Sequence, residues 1–251
     1  MGAWIIGPRP GPGARLRLFC FPYGGAGASL YRGWSAVLPA TVAVCPVQLP
    51  GRENRLDEPM FRRLQPLVQA VADGLTPYLD APFALFGHSM GALVSFELAR
   101  ELRRRGRFPA SLLVSSFRAP HLPDPDPPIY HLPDPEFIQE LVELGGTPPE
   151  ILANAELMGL VLPRLRADLE VCDTYAYLPE SPLACPIAAF GGVEDQEVHR
   201  QELEGWREHT SGAFHLRLFP GDHFYVHDTG GALQRAVAGE LAHLVDAAPF
   251  H

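Results

Sequence analysis

Phe83-Ala84-Leu85-Phe86-Gly87-His88-Ser89-Met90-Gly91-Ala92 opens on an apolar run, passes through a serine with a glycine two residues to either side, and leads into a helical pattern. That is the sequence form of a strand, a sharp turn carrying a nucleophile, and a helix. Such a turn imposes strained backbone angles on Ser89 and lifts its hydroxyl above the sheet, while the glycines leave room for neighbouring backbone. A serine presented in this way can meet a base, and the chemistry implied is the breaking of acyl bonds. The five-residue pattern alone arises by chance on the order of once in ten chains of this size, so the flanking strand and helix carry the inference. The plainer reading is a glycine-rich turn whose serine does nothing.

The chain's 251 residues suit a single α/β domain spanning residues 1–251. Hydrophobic residues make up 47%, ordinary for a globular enzyme, and no apolar stretch is long enough to cross a bilayer, so no membrane partner is expected. Residues 1–14 carry glycine and proline in place of the basic segment and apolar core of a secretory signal, which predicts a cytoplasmic protein. Cys20, Cys45, Cys172 and Cys185 are scattered without paired spacing, and a buried, reduced state is expected for them. The net charge of −9 argues against nonspecific nucleic-acid binding. All 20 basic residues are arginine, which together with 27 prolines reads as compositional drift more than function. Arg100, Arg103, Arg104, Arg105 and Arg107 nevertheless crowd the end of the helix after Ser89, and Arg52, Arg55, Arg62 and Arg63 form a second group. They are either solvated cations complementing a helix C-terminus or a landing patch for an acidic partner.

Working outward from Ser89, strands are predicted over residues 15–21, 41–48, 83–86, 111–116, 186–190 and 215–219. Helical spacing runs through 64–79, and Leu233, Val237, Leu241 and Leu244 mark an amphipathic closing helix. Strands alternating with helices imply a mostly parallel, twisted sheet covered on both faces. Residues 119–178 break this rhythm with a proline-rich entry and short helical patterns at 135–144 and 150–162. An insertion of that length between two strands reads as a helical lid over the site, or as an elaboration that never moves.

A serine hydroxyl is a poor nucleophile until a base takes its proton. Of ten histidines, His223 falls just after the last predicted strand, on the same sheet edge as Ser89 in a parallel arrangement. His227 looks to begin the closing helix region, His88 points away from its neighbour's hydroxyl, and His215 sits at the wrong end of its strand. The acid that orients the base is assigned to Asp195, which follows the strand ending near Phe190 and the Gly191-Gly192 turn. Glu194 would face the other way, Asp222 cannot easily reach the ring's far nitrogen, and the end of the preceding strand offers no carboxylate. The order Ser89, Asp195, His223 is that of an α/β-hydrolase. For the oxyanion, one backbone donor is expected at Met90 and another in residues 22–27, where Tyr23 and Gly24 are equal candidates. No metal or bound cofactor is implied; the glycine run lacks the lysine and hydroxyl of a phosphate-binding loop.

Five segments together make a more specific pattern: Phe21-Pro22-Tyr23-Gly24-Gly25-Ala26-Gly27, Gln48-Leu49-Pro50-Gly51-Arg52, Gly87-His88-Ser89-Met90-Gly91-Ala92, Leu162-Pro163-Arg164-Leu165-Arg166-Ala167-Asp168 and Gly221-Asp222-His223-Phe224. From about Leu16 to Leu244 the chain resembles the type II thioesterases that serve modular polyketide and nonribosomal peptide synthases. One departure is Gly24-Gly25-Ala26, where that family more often has alanine before paired glycines. The resemblance implies an α/β-hydrolase fold and hydrolysis of acyl groups from the phosphopantetheine arm of acyl or peptidyl carrier proteins, with a monomer expected. Because carrier domains are typically acidic, Arg100, Arg103 and Arg104 become candidates for a local docking face on an acidic enzyme. The rival activities are a carboxylester hydrolase, which uses the same triad, and a silent module that grips carrier domains.

Overall fold

The computed structural model describes residues 3–7, 11, 13–228 and 230–246. Residues 1, 2, 8–10 and 12, part of the start read above as lacking a secretory signal, lie outside the described residues. So do residues 229 and 247–251 of the domain expected over the whole chain. Strands β1 (Leu16–Phe21), β2 (Val42–Pro46), β3 (Phe83–His88), β4 (Ser111–Ser115), β5 (Ile187–Gly192) and β6 (Phe214–Phe219) form one sheet. Its order is β2-β1-β3-β4-β5-β6, with every neighbouring pair parallel. All six strands lie where the sequence predicts them, with edges moved by one or two residues.

Burial on both faces explains their apolar runs. In β1, Leu16, Leu18 and Cys20 join a core with Tyr31, Trp34, Val237 and Leu241. Phe19 and Phe21 face the opposite core, which holds Leu67, Val71, Leu93 and Trp206. Helix α1 (Leu64–Leu75) presents Leu64, Leu67, Val68, Val71 and Leu75 to that second core. It stops short of the predicted residue 79 and passes into a 3-10 turn at Thr76–Tyr78, because Pro77 has no N–H with which to continue the α-helical ladder. Helix α2 (Met90–Arg104) follows β3 directly. Among the described residues no helix is long and apolar enough to cross a membrane.

The insertion between β4 and β5 carries α3 (Asp134–Leu144), α4 (Pro149–Leu152) and α5 (Ala155–Asp173). The pattern predicted as one helix over 150–162 is divided at Asn154, whose side chain accepts hydrogen bonds from the N–H groups of Glu156 and Leu157 at 3.0 and 3.1 Å and caps α5. Beyond it, α5 continues through Pro163, where the pattern had seemed to end. The carbonyl that Pro163 leaves without a partner within the helix belongs to Gly159, which is exposed and so open to solvent. Phe137, Leu141, Met158 and Leu162 make a small core of their own inside the insertion. Helix α6 (Arg200–Glu204) and a 3-10 turn at Gly205–His209 follow β5 where no element was predicted, and α7 (Ala232–Asp246) closes the fold.

The end of α2 corrects the docking expectation for Arg100. Arg100 is buried; it bonds Glu97 at 2.6 Å, Glu180 at 2.8 Å and the Leu178 carbonyl at 2.5 Å. Arg103 and Arg104 also pair with Glu180, at 2.6 and 2.9 Å, and Glu101 takes Arg104 and Arg105. Carboxylates thus pair with all three, and buried Arg100 has no surface to offer a partner, while Arg103 and Arg104 stay partly exposed. Beside this network lies His209, bonded to His121 at 2.8 Å and packed against Phe96, Trp206 and Tyr177. Burial, with help from His121 and Arg100, lowers its pKa to about 4. The folded protein thus keeps His209 neutral where the unfolded chain protonates it near 6.5, so stability falls as pH drops from about 6.5 to about 4. Urea denaturation at pH 7.5 and pH 5 should show His209→Gln losing roughly 2 kcal/mol less than wild type between the two.

Candidate active site

The parallel sheet brings the loops that carry the chemistry to one edge. Its order reverses between β1 and β3, whose following connections depart in opposite directions, and that switch point opens a crevice at the strands' carboxyl ends. Ser89 sits there at φ 53° and ψ −123°, between β3 and α2. A Cβ on Gly87 would lie 2.0 Å from the Gly91 carbonyl oxygen, and one on Gly91 would lie 2.1 Å from that of Phe21. Both glycines are therefore required by close backbone approach. The Ser89 N–H donates to the Ser115 carbonyl at 2.8 Å, which anchors the turn to β4.

Two further loops meet behind the serine. A Cβ on Gly192, the last residue of β5, would lie 2.4 Å from the carbonyl oxygens of Gly221 and Asp222, so the loops after β5 and β6 pack back to back. The Glu194 N–H donates to the Gly221 carbonyl at 3.0 Å. This contact sets His223 Nδ1 3.0 and 3.2 Å from the two oxygens of buried Asp195. The N–H groups of Glu197 and Val198 donate to Asp195 Oδ1 at 3.0 and 3.1 Å. Burial opposes the charge of Asp195, but the His223 hydrogen bond and those N–H groups outweigh it and hold the carboxyl below its usual range. An ionised carboxylate only accepts, so in the neutral ring the His223 proton sits on Nδ1 and Nε2 keeps its lone pair. Glu194 is exposed, and Asp222 accepts from the Phe224 N–H instead of reaching the ring.

Ser89, Met90, His223, Tyr23 and Gly24 all line one cavity of about 730 Å³. Residues of the insertion form much of its wall, including Ile129, Leu141, Leu165 and Leu169. Met90 is the first residue of α2, so its N–H has no partner within the helix. In residues 22–27, Gly25 adopts φ 85° and its N–H donates to Asp168 Oδ2 at 2.7 Å. That N–H is thus committed, which leaves Tyr23 and Gly24 as the loop's candidates. Among the described residues no group of three His, Cys, Asp or Glu could hold a metal ion.

Some site features escaped the sequence reading. His88 is fully buried, with Nδ1 2.8 Å from Ser115 Oγ, which is 2.5 Å from the Tyr225 hydroxyl. Burial pushes the pKa of His88 well below the usual histidine range, and its ring lies 5.5 Å from that of His223. His227 does not begin the closing helix; it ends a 3-10 turn at Tyr225–His227 and its Nε2 lies 2.9 Å from the Tyr23 hydroxyl. All four cysteines are free, Cys20 and Cys45 buried and the other two half-buried, and burial pushes the thiols up. Asp168 and Arg52 meet in a buried, two-pronged ion pair with both contacts at 2.8 Å.

Known proteins are similar to this chain over almost its whole length. The thioesterase-domain family matches residues 16–243. The gramicidin S biosynthesis protein GrsT of Aneurinibacillus migulanus is 47% identical over 227 residues, covering 90% of this chain and 89% of that one. A protein of Brevibacillus parabrevis named linear gramicidin dehydrogenase LgrE is 46% identical over 228 residues, covering 89% and 87%. Among solved structures, the type II thioesterase BorB from the borrelidin biosynthetic cluster superposes with a TM-score of 0.86 at 36% identity, covering 96% and 99%. The chain belongs to the thioesterase family.

Proposed function

We propose that this enzyme hydrolyses acyl thioesters held on the phosphopantetheine arm of acyl or peptidyl carrier proteins, in the manner of a type II thioesterase. The observation that carries the reading is the convergence of Ser89, the His223–Asp195 pair and residues 22–27 on one cavity, in a thioesterase-family chain. The biosynthetic settings named for GrsT and BorB support the carrier-bound substrate. The dehydrogenase name of LgrE gains no support from the geometry. Residues 24–27 lead into a single 3-10 turn at Ala28–Tyr31, whereas a dinucleotide loop opens a full helix whose N-terminus faces the pyrophosphate. Four free cysteines fit a reducing, cytoplasmic setting.

In this reading Ser89 Oγ passes its proton to His223 Nε2 and attacks the thioester carbonyl carbon. The oxygen takes up negative charge and meets the N–H of Met90 and that of Tyr23 or Gly24. Collapse breaks the carbon–sulfur bond, and His223 returns its proton to the departing pantetheine sulfur. Water then gives a proton to His223 and attacks the acyl-serine, and Ser89 leaves with that proton as the free acid forms. Asp195 stabilises each imidazolium and fixes the tautomer. Residues 119–178 act as the lid that closes the acyl cavity.

Rates on an acyl-pantetheine thioester and the matched oxygen ester test the substrate class. At least a tenfold higher kcat/KM is expected for the thioester; an ester preference would identify a carboxylester hydrolase. Ser89→Ala should reduce kcat by a factor on the order of 10⁶, and unchanged turnover would remove Ser89 from the mechanism. Asp195→Asn should leave KM nearly unchanged and lower kcat by about 10⁴, because the amide favours the wrong histidine tautomer.

A further inference from the structure

The carboxylate of Asp168 lies on the insertion helix α5, yet its bonds run to the loops after β1 and β2. Oδ2 accepts from the Gly25 N–H at 2.7 Å and from Arg52 Nη1 at 2.8 Å, and Oδ1 accepts from Arg52 Nη2 at 2.8 Å. Arg52 Nη1 also donates to the Ala26 carbonyl at 3.1 Å. Gln48 extends the same network: its amide nitrogen donates to the Arg52 carbonyl at 3.1 Å and its oxygen accepts from the Ala28 N–H at 2.9 Å. Residues 25, 26 and 28 are thus each bonded to one buried polar assembly. Packing fixes the loop in the same place, since a Cβ on Gly25 would stand 2.4 Å from Leu165 and one on Gly24 would stand 3.4 Å from the Asp168 Cβ.

We infer that Asp168 is a positioning residue for the oxyanion loop, holding residues 23–25 in register with Ser89 through the Gly25 N–H and Arg52. The inference rests on the reading of Ser89 as nucleophile and of residues 22–27 as supplying an oxyanion donor. Three properties point to positioning over simple stabilisation. Both carboxylate oxygens are already held by Gly25 and Arg52, so the charge of Asp168 is directed at the loop although the residue borders the cavity. A buried ion pair is a poor source of net stability compared with apolar residues of the same volume. Its third bond ends on the residue next to Gly24, which lines the cavity with Ser89. A donor displaced by about 1 Å loses most of its effect on a developing oxyanion, which is worth on the order of 10²-fold in rate.

Two variants separate this role from a structural one. Asp168→Asn keeps the side chain's shape and removes its charge; the double variant Arg52→Met with Asp168→Leu removes both charges and refills the space. Each is assayed with acyl-pantetheine, for thermal melting, and for inhibition by an acyl trifluoromethyl ketone, whose adduct with the serine carries the oxyanion. The expected result for Asp168→Asn is a kcat at least tenfold lower with KM within about twofold. For the double variant we expect a wild-type melting temperature, a kcat lower by about 10², and a trifluoromethyl ketone inhibition constant raised by a similar factor. A folded double variant with wild-type kcat and wild-type inhibition would overturn the inference, as would Asp168→Asn with unchanged kcat. Ser89→Ala assayed in parallel keeps the two readings apart: if it still turns over, the nucleophile assignment fails, whatever the Asp168 variants do.

Discussion

A serine held at φ 53° and ψ −123° costs of order 1–3 kcal/mol, and the structure around it is what makes that conformation the only one available. The Ser89 N–H is claimed by the Ser115 carbonyl and α2 begins at the next residue, so the chain must reverse within one position. Reversal this tight drives the backbone at Gly91 against the carbonyl of Phe21, the last residue of β1. The elbow therefore sets more than the height of one hydroxyl. It fixes where β1 exits, and with it the start of the loop that faces the serine. Because β1 and β3 are neighbours whose connections diverge, the space between the two loops stays open as a crevice.

The rest of the site reaches that crevice through polar ties that bridge distant parts of the chain. Asp195 joins the loops after β5 and β6, and the back-to-back packing at Gly192 leaves those loops no room to separate. Asp168 joins the insertion to the loop after β1. Neither tie is a large source of stability, since burying a carboxylate costs nearly as much as its pairing returns. What each supplies is direction: a carboxylate with every oxygen committed admits one placement of its partners, where an apolar contact admits several. The two cores on the sheet's faces hold the fold, and the polar ties aim the groups at its edge.

Features written locally were legible in the sequence. A buried parallel strand is a short apolar run, and the elbow is a pattern of glycines around a serine, so β1 to β6, Ser89 and the edge positions of Asp195 and His223 could be read directly. Features made by distant partners could not. The arginines at the end of α2 read as solvated cations or a landing patch because Glu180, which pairs with three of them, stands some 76 to 80 residues later. The Ser115–Tyr225 contact beneath His88 spans 110 residues and leaves no local trace. The helical pattern that stops at Leu162 in the sequence runs on through Pro163, and the carbonyl it orphans belongs to solvent-exposed Gly159.

That uninterrupted α5 changes what a lid can mean in this fold. Its C-terminal half is bound by charge: Asp168 to Arg52 and Gly25, Glu170 to Arg62 and Arg63, and Asp173 to the N–H groups of Ile129 and Tyr130. Its N-terminal half contributes Met158 and Leu162 to a small apolar core shared with α3. Apolar contacts are non-directional and can slide, whereas a two-pronged ion pair must break to move. An opening that leaves the loop after β1 in place is therefore confined to α3, α4 and the part of α5 before Asp168. The helix that walls the cavity is also tied to the loop that faces Ser89. The two halves of this one element therefore differ in what binds them: charge toward the loop that faces Ser89, and apolar packing toward α3.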